Sequence, residues 1–254
     1  MRDRFPQKRQ QQMIDVIVER RRVSTVDLAA HLGISLPTVR RDLAVLEQAG
    51  VVTRTHGGVV ARGAGENGTE PLFLEKIRQN QNLKHRIGQA AAAMLLDGQV
   101  ALLDSGTTAL ATARALAGRR ATVVTMDLKV AEAASVGATE VHIVGGRVRN
   151  GYFSLVGNWA KEALSSIQAD ICFLAADALD HNGITTATFD EAETKRIAMS
   201  RAKRIVAITD HSKFGKRAFA EVCGLEAIDE LITDRGGEAL VAPYRELIPV
   251  IRLV

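Results

Sequence analysis

The chain has 254 residues, 46% of them apolar, and a formal net charge of +4 from 33 Lys and Arg against 29 Asp and Glu. This length and apolar content predict two folded domains, one with a sizeable core, and exclude an intrinsically disordered chain. The longest apolar runs, such as AAAMLL, are far too short for a membrane span and the N-terminus has no apolar signal region, so we expect a cytoplasmic protein with no membrane partner.

The excess positive charge lies at the N-terminal end of the chain. Residues 1–62 carry 11 Lys and Arg against 6 Asp and Glu, whereas residues 63–254 carry 22 against 23. This asymmetry is typical of a small module that binds a polyanion such as duplex DNA, although scattered surface charges would give the same sum.

The two cysteines indicate neither a metal site nor a disulfide. Cys172 lies in an apolar run, and neither it nor Cys223 belongs to a C-x-x-C pair. We therefore expect reduced thiols, no metal and no cofactor.

Three helices are predicted before residue 50. Apolar residues at helical spacing predict the first from about Gln7 to Arg21. Ser24 is a suitable N-cap for a short second helix, and Gly33 can end it in a left-handed conformation. Ser35 begins a third helix, whose first turn tolerates Pro37 because the missing amide has no partner there.

The third predicted helix has one apolar and one polar face. The apolar stripe, expected to pack inward, comprises Leu36, Val39, Leu43 and Leu46. Two predicted strands follow, VVTRT and GVVAR, and they form a wing around His56. A tight turn between two helices, with Thr and Arg at the start of the second, is the geometry of a recognition helix in the major groove.

Seven residues are expected to contact DNA: Ser35, Pro37, Thr38, Arg40, Arg41, Arg54 and His56. Arg41 would read the groove, and the wing residues would lie near the phosphate backbone or the minor groove. The alternatives are a solvated helix face for Arg41 and a role in shaping the turn for His56.

The stretch VSTVDLAAHLGISLPTVRRDLAVLEQAGVVTRTHGG resembles the N-terminal signature of DeoR-type bacterial transcriptional regulators. In that family a Thr-Val/Ile-Arg-Arg-Asp-Leu recognition helix is followed by an Arg-x-His-Gly-Gly wing. The resemblance implies operator binding by Thr38, Arg40, Arg41 and the wing.

A change of composition at ARGAGENGTEPL divides the chain into a winged helix-turn-helix domain at 1–62, a linker at 63–75 and a second domain at 76–254. In the second domain, strand-like runs such as QVALLD, ATVVTM and KRIVAITD alternate with helical segments. This alternation predicts an α/β fold with a mostly parallel sheet, whose ligand site lies at the carboxyl ends of the strands.

Polar residues follow those strands. In DSGTT, residues 104–108, a glycine permits a tight turn, hydroxyls offer donors, and the helix that follows exposes amides that favour an anion. Lys195 at a helix start and Lys213 after a strand could neutralise a phosphate. An ordinary capped turn and solvated lysines are the alternatives, and the spacing is not that of a nucleoside triphosphate site.

The second domain also resembles the sensor domain of the DeoR family. Its patterns D-S-G-T-T, E-A-x-x-K and D-x-S-K-F-G are present, and G-G-x-x-R is placed from Gly145 to Arg147. The resemblance implies a fold similar to ribose-5-phosphate isomerase and an effector that is a phosphorylated sugar. The implied effector-binding residues are Asp104, Ser105, Gly106, Thr107, Thr108, Arg147, Asp177, Lys195 and Lys213.

Two departures from the family pattern could alter which sugar fits. Many members have Thr-Asn-Ser where this chain has Thr125, Met126 and Asp127, and AADALD replaces a more glycine-rich turn. The first departure adds a carboxylate, and the second removes backbone freedom.

The family resemblance favours a repressor of a sugar or polyol catabolic operon that its effector releases from DNA. The alternatives are a sugar-phosphate isomerase, or a DNA-binding protein whose second domain only oligomerises. Alignment on the isomerase places Lys195 where the catalytic glutamate stands, and Glu191 and Glu193 are expected to point elsewhere on their helix, so we expect no enzyme. Because helix-turn-helix proteins read paired half-sites, a homo-oligomer, dimer or tetramer, is expected.

Overall fold

The computed structural model describes residues 6–20, 22–48, 52–55, 57–61 and 70–254, and it divides into two units. The N-terminal unit is Met1–Gln79 with Asn150–Tyr152, and the C-terminal unit is Asn80–Arg149 with Phe153–Val254. The division after Gln79 differs from the predicted boundary after residue 75, because a helix at Phe73–Arg78 belongs to the N-terminal unit. Most of the predicted linker, residues 63–69, lies outside the described residues.

The described part of the N-terminal unit contains four helices and a three-stranded antiparallel sheet in the order β1-β3-β2. Its elements are α1 Pro6–Arg20, β1 Arg22–Ser24, α2 Thr25–Leu32, α3 Leu36–Gln48, β2 Val52–Thr55, β3 Gly58–Ala61 and α4 Phe73–Arg78. The three predicted helices and both predicted strands are present. The strand β1 was not predicted; it forms because Val23 pairs with Val59 of β3.

Local capping fixes the ends of α2 as predicted. The Ser24 hydroxyl accepts the Asp27 amide at 3.0 Å, and Gly33 closes the helix at φ 62°. The inward stripe of α3 is also present, since Val39 and Leu43 have no exposed surface. Each fully buried aliphatic side chain contributes about 1.5–3 kcal/mol, so this stripe holds α3 in place.

The C-terminal unit is built on a seven-stranded parallel sheet in the order β15-β14-β12-β9-β4-β5-β6. These strands are β4 Val100–Leu103, β5 Thr122–Thr125, β6 Glu140–Ile143, β9 Ala169–Ala175, β12 Ala202–Ile208, β14 Glu230–Thr233 and β15 Val250–Leu253. Three consecutive residues of β4, Ala101 to Leu103, have no exposed surface. Because neighbouring strand residues face opposite sides, both faces of the sheet are covered there, as in other α/β folds.

Five helices accompany the sheet: α5 Gln81–Ala92, α6 Thr107–Leu116, α7 Leu128–Ala134, α8 Asn158–Ser165 and α9 Phe189–Ser200. A hairpin of β7 Arg147–Val148 and β8 Leu155–Val156, and a small antiparallel sheet of β10 Ala178–Asp180, β11 Gly183–Thr186 and β13 Ala220–Cys223, complete the unit. Both cysteines are free thiols. Among the described residues, no helix has the length and hydropathy needed to cross a membrane.

The strand order reverses between β4 and β9. The chain runs from β4 outward to β5 and β6, and then from β9 outward in the other direction. Loops that follow the strands at such a switch point leave a crevice between them, which is where open α/β sheets bind ligands. The loop at 104–108 follows β4, and Asp177 lies just after β9.

Candidate functional site

Four of the seven side chains predicted to contact DNA belong to α3. Pro37, Arg40 and Arg41 are exposed, and Thr38 is half-buried. The Ser35 and Thr38 hydroxyls share a hydrogen bond of 2.9 Å. The start of α3 therefore presents two arginines to solvent above a buried stripe.

Asp42, the next residue in the sequence, does not share this face. Only 3% of its surface is exposed, and its carboxylate accepts Arg9 Nε at 2.6 Å and the second guanidinium nitrogen at 3.1 Å. The hydrogen bond from Arg9 to Asp42 raises the pKa of Arg9, against a smaller opposing effect of burial. This bidentate pair connects α3 to α1. The sequence analysis did not predict it, although position 42 lies one helical turn after the buried Val39 and so on the same side of α3.

The wing is formed by the hairpin of β2 and β3. Arg54 is exposed on β2, and its backbone amide donates to Glu47 Oε1 at 3.2 Å. This bond joins the wing to the end of α3. His56, the other predicted wing contact, lies outside the described residues.

At the switch point of the C-terminal unit, Asp104 and Lys195 form a buried ion pair. Asp104 is fully buried and Lys195 is 4% exposed. The Lys195 ammonium also donates to the Ala175 carbonyl at 3.1 Å, while Asp104 accepts the amides of Ser105 at 2.7 Å and Ala175 at 2.9 Å. A buried pair is tolerated only with such additional hydrogen bonds.

Further carboxylates surround the Lys195 ammonium. Burial lowers the pKa of Lys195, but the charges of Asp104, Glu191 and Asp177 outweigh it and hold that pKa above its ordinary value. Lys195 is therefore a cation at neutral pH. It bonds to Asp104, the first residue of the segment 104–108 where the sequence predicted a phosphate.

Glu191 belongs to this cluster, contrary to the expectation that it points elsewhere on the helix. Its side chain is buried, forms an ion pair with Arg149 and accepts the Ser154 hydroxyl at 2.9 Å. It stands one helical turn before Lys195, so both residues lie on the same side of α9. Glu193 does point away and pairs with Lys161 at 3.1 Å.

Glu191 and Asp177 are joined through one hydroxyl. The Thr186 Oγ1 atom lies 2.7 Å from Asp177 Oδ2 and 3.2 Å from Glu191 Oε2. Asp177, predicted as an effector residue, therefore belongs to the same cluster as Lys195.

Of the two arginines in the segment GGRVR, Arg147 is not the one that reaches the cluster. Arg147 is exposed and pairs with Asp190, whereas the Arg149 side chain is 10% exposed and pairs with Glu191. The prediction of Arg147 came from a register error, because G-G-x-x-R counted from Gly145 ends at Arg149.

The loop after β4 leads into α6 through Gly106. This glycine has φ 102°, a conformation that other residues rarely adopt, and it is the N-cap of α6. Ser105, Thr107 and Thr108 are each at least nine-tenths buried. The first-turn amides of a helix have no intrahelical partner, so they are available to an anion at this point.

Asp127 also bonds to this loop. Its Oδ2 atom accepts the Gly106 amide at 3.1 Å, and Oδ1 accepts the amides of Lys129 at 2.7 Å and Val130 at 3.1 Å. Burial raises the pKa of Asp127 to about 6 against the lowering effect of these three amides, and the nearby Asp104 charge adds to the increase.

Lys213 lies in the turn that follows β12, beside Asp210. Asp210 accepts the Ser212 amide at 3.0 Å and the Asn80 side chain at 2.8 Å. Burial would raise the pKa of Asp210, but the bonds from Ser212 and Asn80 and the Lys213 charge hold it below its ordinary value. Lys213 is therefore placed at the end of a strand that neighbours β9, as the sequence predicted.

A carboxylate follows each of five neighbouring strands within two residues: Asp104, Asp127, Asp177, Asp210 and Asp234. Asp234 was missed by sequence reasoning; it is buried and lies 2.7 Å from the Nδ1 atom of His211. The repeated placement of Asp after a strand was the signal that could have found it.

Two family models match this chain, the DeoR-like helix-turn-helix domain over residues 9–63 and the DeoR C terminal sensor domain over residues 79–235. The HTH-type transcriptional regulator GolR of Listeria innocua is 34% identical over 233 residues, which cover 91% of each chain. The HTH-type transcriptional repressor GlcR of Bacillus subtilis is 30% identical over 232 residues, 91% of this chain and 89% of that protein. Among solved structures, ribose 5-phosphate isomerase A from Methanocaldococcus jannaschii has 18% identity and a TM-score of 0.40 over 54% of this chain and 55% of its own, a similarity too distant to bear on activity.

Proposed function

The chain belongs to the DeoR family of transcriptional regulators, and we propose that it represses a sugar or polyol operon and is released from its operator by a phosphorylated sugar. The observation that carries the DNA-binding half is the exposed pair Arg40 and Arg41 on a helix whose opposite side is buried. Arg41 would donate to base edges in the major groove, while Arg54 would contact phosphates from the wing.

The effector half is supported by the arrangement at the strand ends. The groups proposed to interact with the phosphate are the first-turn amides of α6 and the ammonium groups of Lys195 and Lys213. Because Lys195 is already bonded to Asp104 and Ala175, it would act on the phosphate through its charge and not by direct contact. Lys213 and the amides of Thr107 and Thr108 would make the direct contacts.

We propose that the site binds a sugar phosphate without isomerising it. Isomerisation needs a carboxylate that can accept a proton from carbon. Glu191 is the α9 glutamate on the same side of the helix as Lys195, and its carboxylate is held by Arg149, Ser154 and Thr186. Asp104 is held by Lys195 and two amides. We expect no turnover of aldose or ketose phosphates above background.

We propose that the protein acts in the cytoplasm. We also propose that it is a homo-oligomer, because paired half-sites in DNA require at least two recognition helices. A second domain that only oligomerises would give no response to small molecules. The size-exclusion mass of the purified full chain, measured with and without operator DNA, tests the dimer and the tetramer directly.

The test of the effector site is a thermal-shift screen of the full chain against phosphorylated sugars and polyols. A ligand at about 100 times its dissociation constant stabilises the folded state by about 2.7 kcal/mol. We expect Lys213→Ala to lose the shift and Lys216→Ala, an exposed lysine of the same loop, to keep it. A shift of equal size in both variants would contradict the placement of the phosphate, and no shift with any compound would contradict the sensor function.

A further inference from the structure

The Asp127 carboxylate accepts a hydrogen bond from a backbone amide of the loop proposed to bind the phosphate. Its Oδ2 atom accepts the Gly106 N–H, and Gly106 is the N-cap of α6. Asp127 has no exposed surface, so it does not itself touch a ligand in the crevice. An internal anion therefore already lies at the positive end of α6.

The bonding of Asp127 leaves its negative charge without a cationic partner among the described residues, since its three hydrogen bonds come from backbone amides. The backbone of Asp127 forms a bridge with Ser154, and Ser154 bonds to Glu191. Three charged side chains of these segments have ion-pair partners: Lys129 pairs with Glu132, Asp104 with Lys195, and Glu191 with Arg149. Burial without a counter-ion is why the pKa of Asp127 is raised to about 6.

Resting on the proposed function, we propose that Asp127 is a positioning residue that makes oxyanion binding at the start of α6 proton-linked, so that the loop binds its effector more tightly as the pH falls. With Asp127 ionised, an anion at the amides of Thr107 and Thr108 meets a second negative charge behind the loop. A proton taken from solvent onto the Asp127 carboxylate removes that charge. Two like charges within about 10 Å, at an effective dielectric constant near 20, shift each other's equilibrium by about tenfold.

The reverse effect follows from linkage. An anion that binds more tightly to the protonated form must draw a proton onto Asp127 when it binds near neutral pH. A serine at this position would lack the device, because a hydroxyl caps α7 without carrying charge.

The test uses inorganic sulfate, whose charge does not change between about pH 5.5 and about pH 7.5. Calorimetric titrations compare the wild-type full chain with Asp127→Ser. We expect the wild type to bind sulfate about tenfold more tightly at the lower pH, and Asp127→Ser to bind at the higher pH about as tightly as wild type does at the lower. Histidine is a residue type whose charge changes between about pH 5 and about pH 8. Because the chain has six histidines, the difference between the two proteins is the measured quantity.

A matched control is Glu132→Ser, which removes a carboxylate on the same helix whose side chain is 69% exposed; it should keep the wild-type pH dependence. Titrations of the wild type near pH 6.5 in two buffers of different ionisation enthalpy count the protons taken up, and an absence of uptake overturns the inference even if Asp127→Ser and Asp127→Asn do not fold. Equal pH slopes in wild type and Asp127→Ser, or no proton uptake by wild type, would overturn the inference while leaving the proposed function intact. Absence of sulfate binding at both pH values would overturn the inference, whereas the sensor function fails only if the thermal-shift screen also finds no ligand.

Discussion

Arg40, Arg41 and Asp42 are consecutive, yet the helix assigns them to different environments. The two arginines are exposed, and Asp42 is 3% exposed and bonded to Arg9. Successive helical residues are rotated by roughly 100°, so a run of charges divides between solvent and the core. Substitutions in this run should therefore separate DNA recognition from stability.

Replacing Arg41 by alanine should weaken operator binding and relax the preference at one base pair by about 1–3 kcal/mol, because a base contact is lost. Arg54→Ala, in the wing, should weaken binding to all sequences alike. It should also reduce the slope of log affinity against log salt concentration by about one. Fluorescence anisotropy on operator variants and random duplexes at several salt concentrations measures both effects. Equal losses on operator and random DNA for Arg41→Ala would remove it from the base contacts.

Asp127 should make the protein less stable as the pH rises from about 4 to about 6. Its folded pKa, raised by burial to about 6, exceeds the value of about 3.9 in an unfolded chain, so the native state binds the proton more tightly. The stability present below pH 4 is lost as the pH passes through the folded pKa, by about 3 kcal/mol. Urea unfolding of wild type and Asp127→Ser across this range isolates the contribution, and parallel curves for the two proteins would show that Asp127 titrates normally.

Among the elements, α5 and α6 pack at a position that only glycine permits. A Cβ atom at Gly88 would lie 2.6 Å from the Ala111 carbonyl carbon and 2.8 Å from the Thr112 amide nitrogen, both backbone atoms of α6. The helix backbone cannot move aside as a flexible side chain can.

Gly88→Ala should therefore destabilise the C-terminal unit by about 2 kcal/mol, although alanine gains about 1 kcal/mol in an unhindered helix. Gln89→Ala, on the exposed side of α5, should change stability by less than about 0.5 kcal/mol. Chemical unfolding of both variants gives the comparison, and a Gly88→Ala protein as stable as wild type would mean that the two helices separate at little cost.

Elements set by neighbouring residues could be predicted from the sequence. Ser24 and Gly33 bound α2 through bonds to residues three or four positions away. The strand β1 could not be predicted, because three residues form a strand only through Val23 pairing with the distant Val59. The helix α4 was divided between the predicted linker, which ended at residue 75, and the second domain, because its glycine-rich N-terminal flank resembles a flexible segment.

In the candidate site, too, single residues could be predicted from the sequence, whereas contacts between distant residues could not. The position of Asp104 after a strand was readable from the sequence. Lys195 was predicted at a helix start but lies in the middle of α9, and its ion pair with Asp104 joins residues 91 positions apart. Glu191 was misassigned because the sequence does not say which side of α9 is covered. Arg149 was missed because the end of the G-G-x-x-R pattern was placed two residues too early. In the structure the Arg149 side chain is mostly buried and pairs with Glu191.

At the scale of the whole molecule, the proposed effector site and the helix proposed to contact DNA belong to different units. An effector can change operator affinity only if it binds one arrangement of the protein more tightly than another. A coupling of about 1–3 kcal/mol changes the affinity for DNA by about 5- to 150-fold. Loss of an effector contact should therefore abolish release without weakening DNA binding in the absence of effector.

The most direct test is operator affinity for wild type, Lys213→Ala and Lys216→Ala, each with and without the sugar phosphate that gives the largest thermal shift. The operator is a duplex selected by the full chain from random sequences. We expect all three proteins to bind it equally without ligand, and wild type and Lys216→Ala to release it by about 5-fold or more with ligand, whereas Lys213→Ala stays bound because it lacks a charge-assisted phosphate contact. Equal release by Lys213→Ala and wild type at the same ligand concentration would contradict the strand-end effector site.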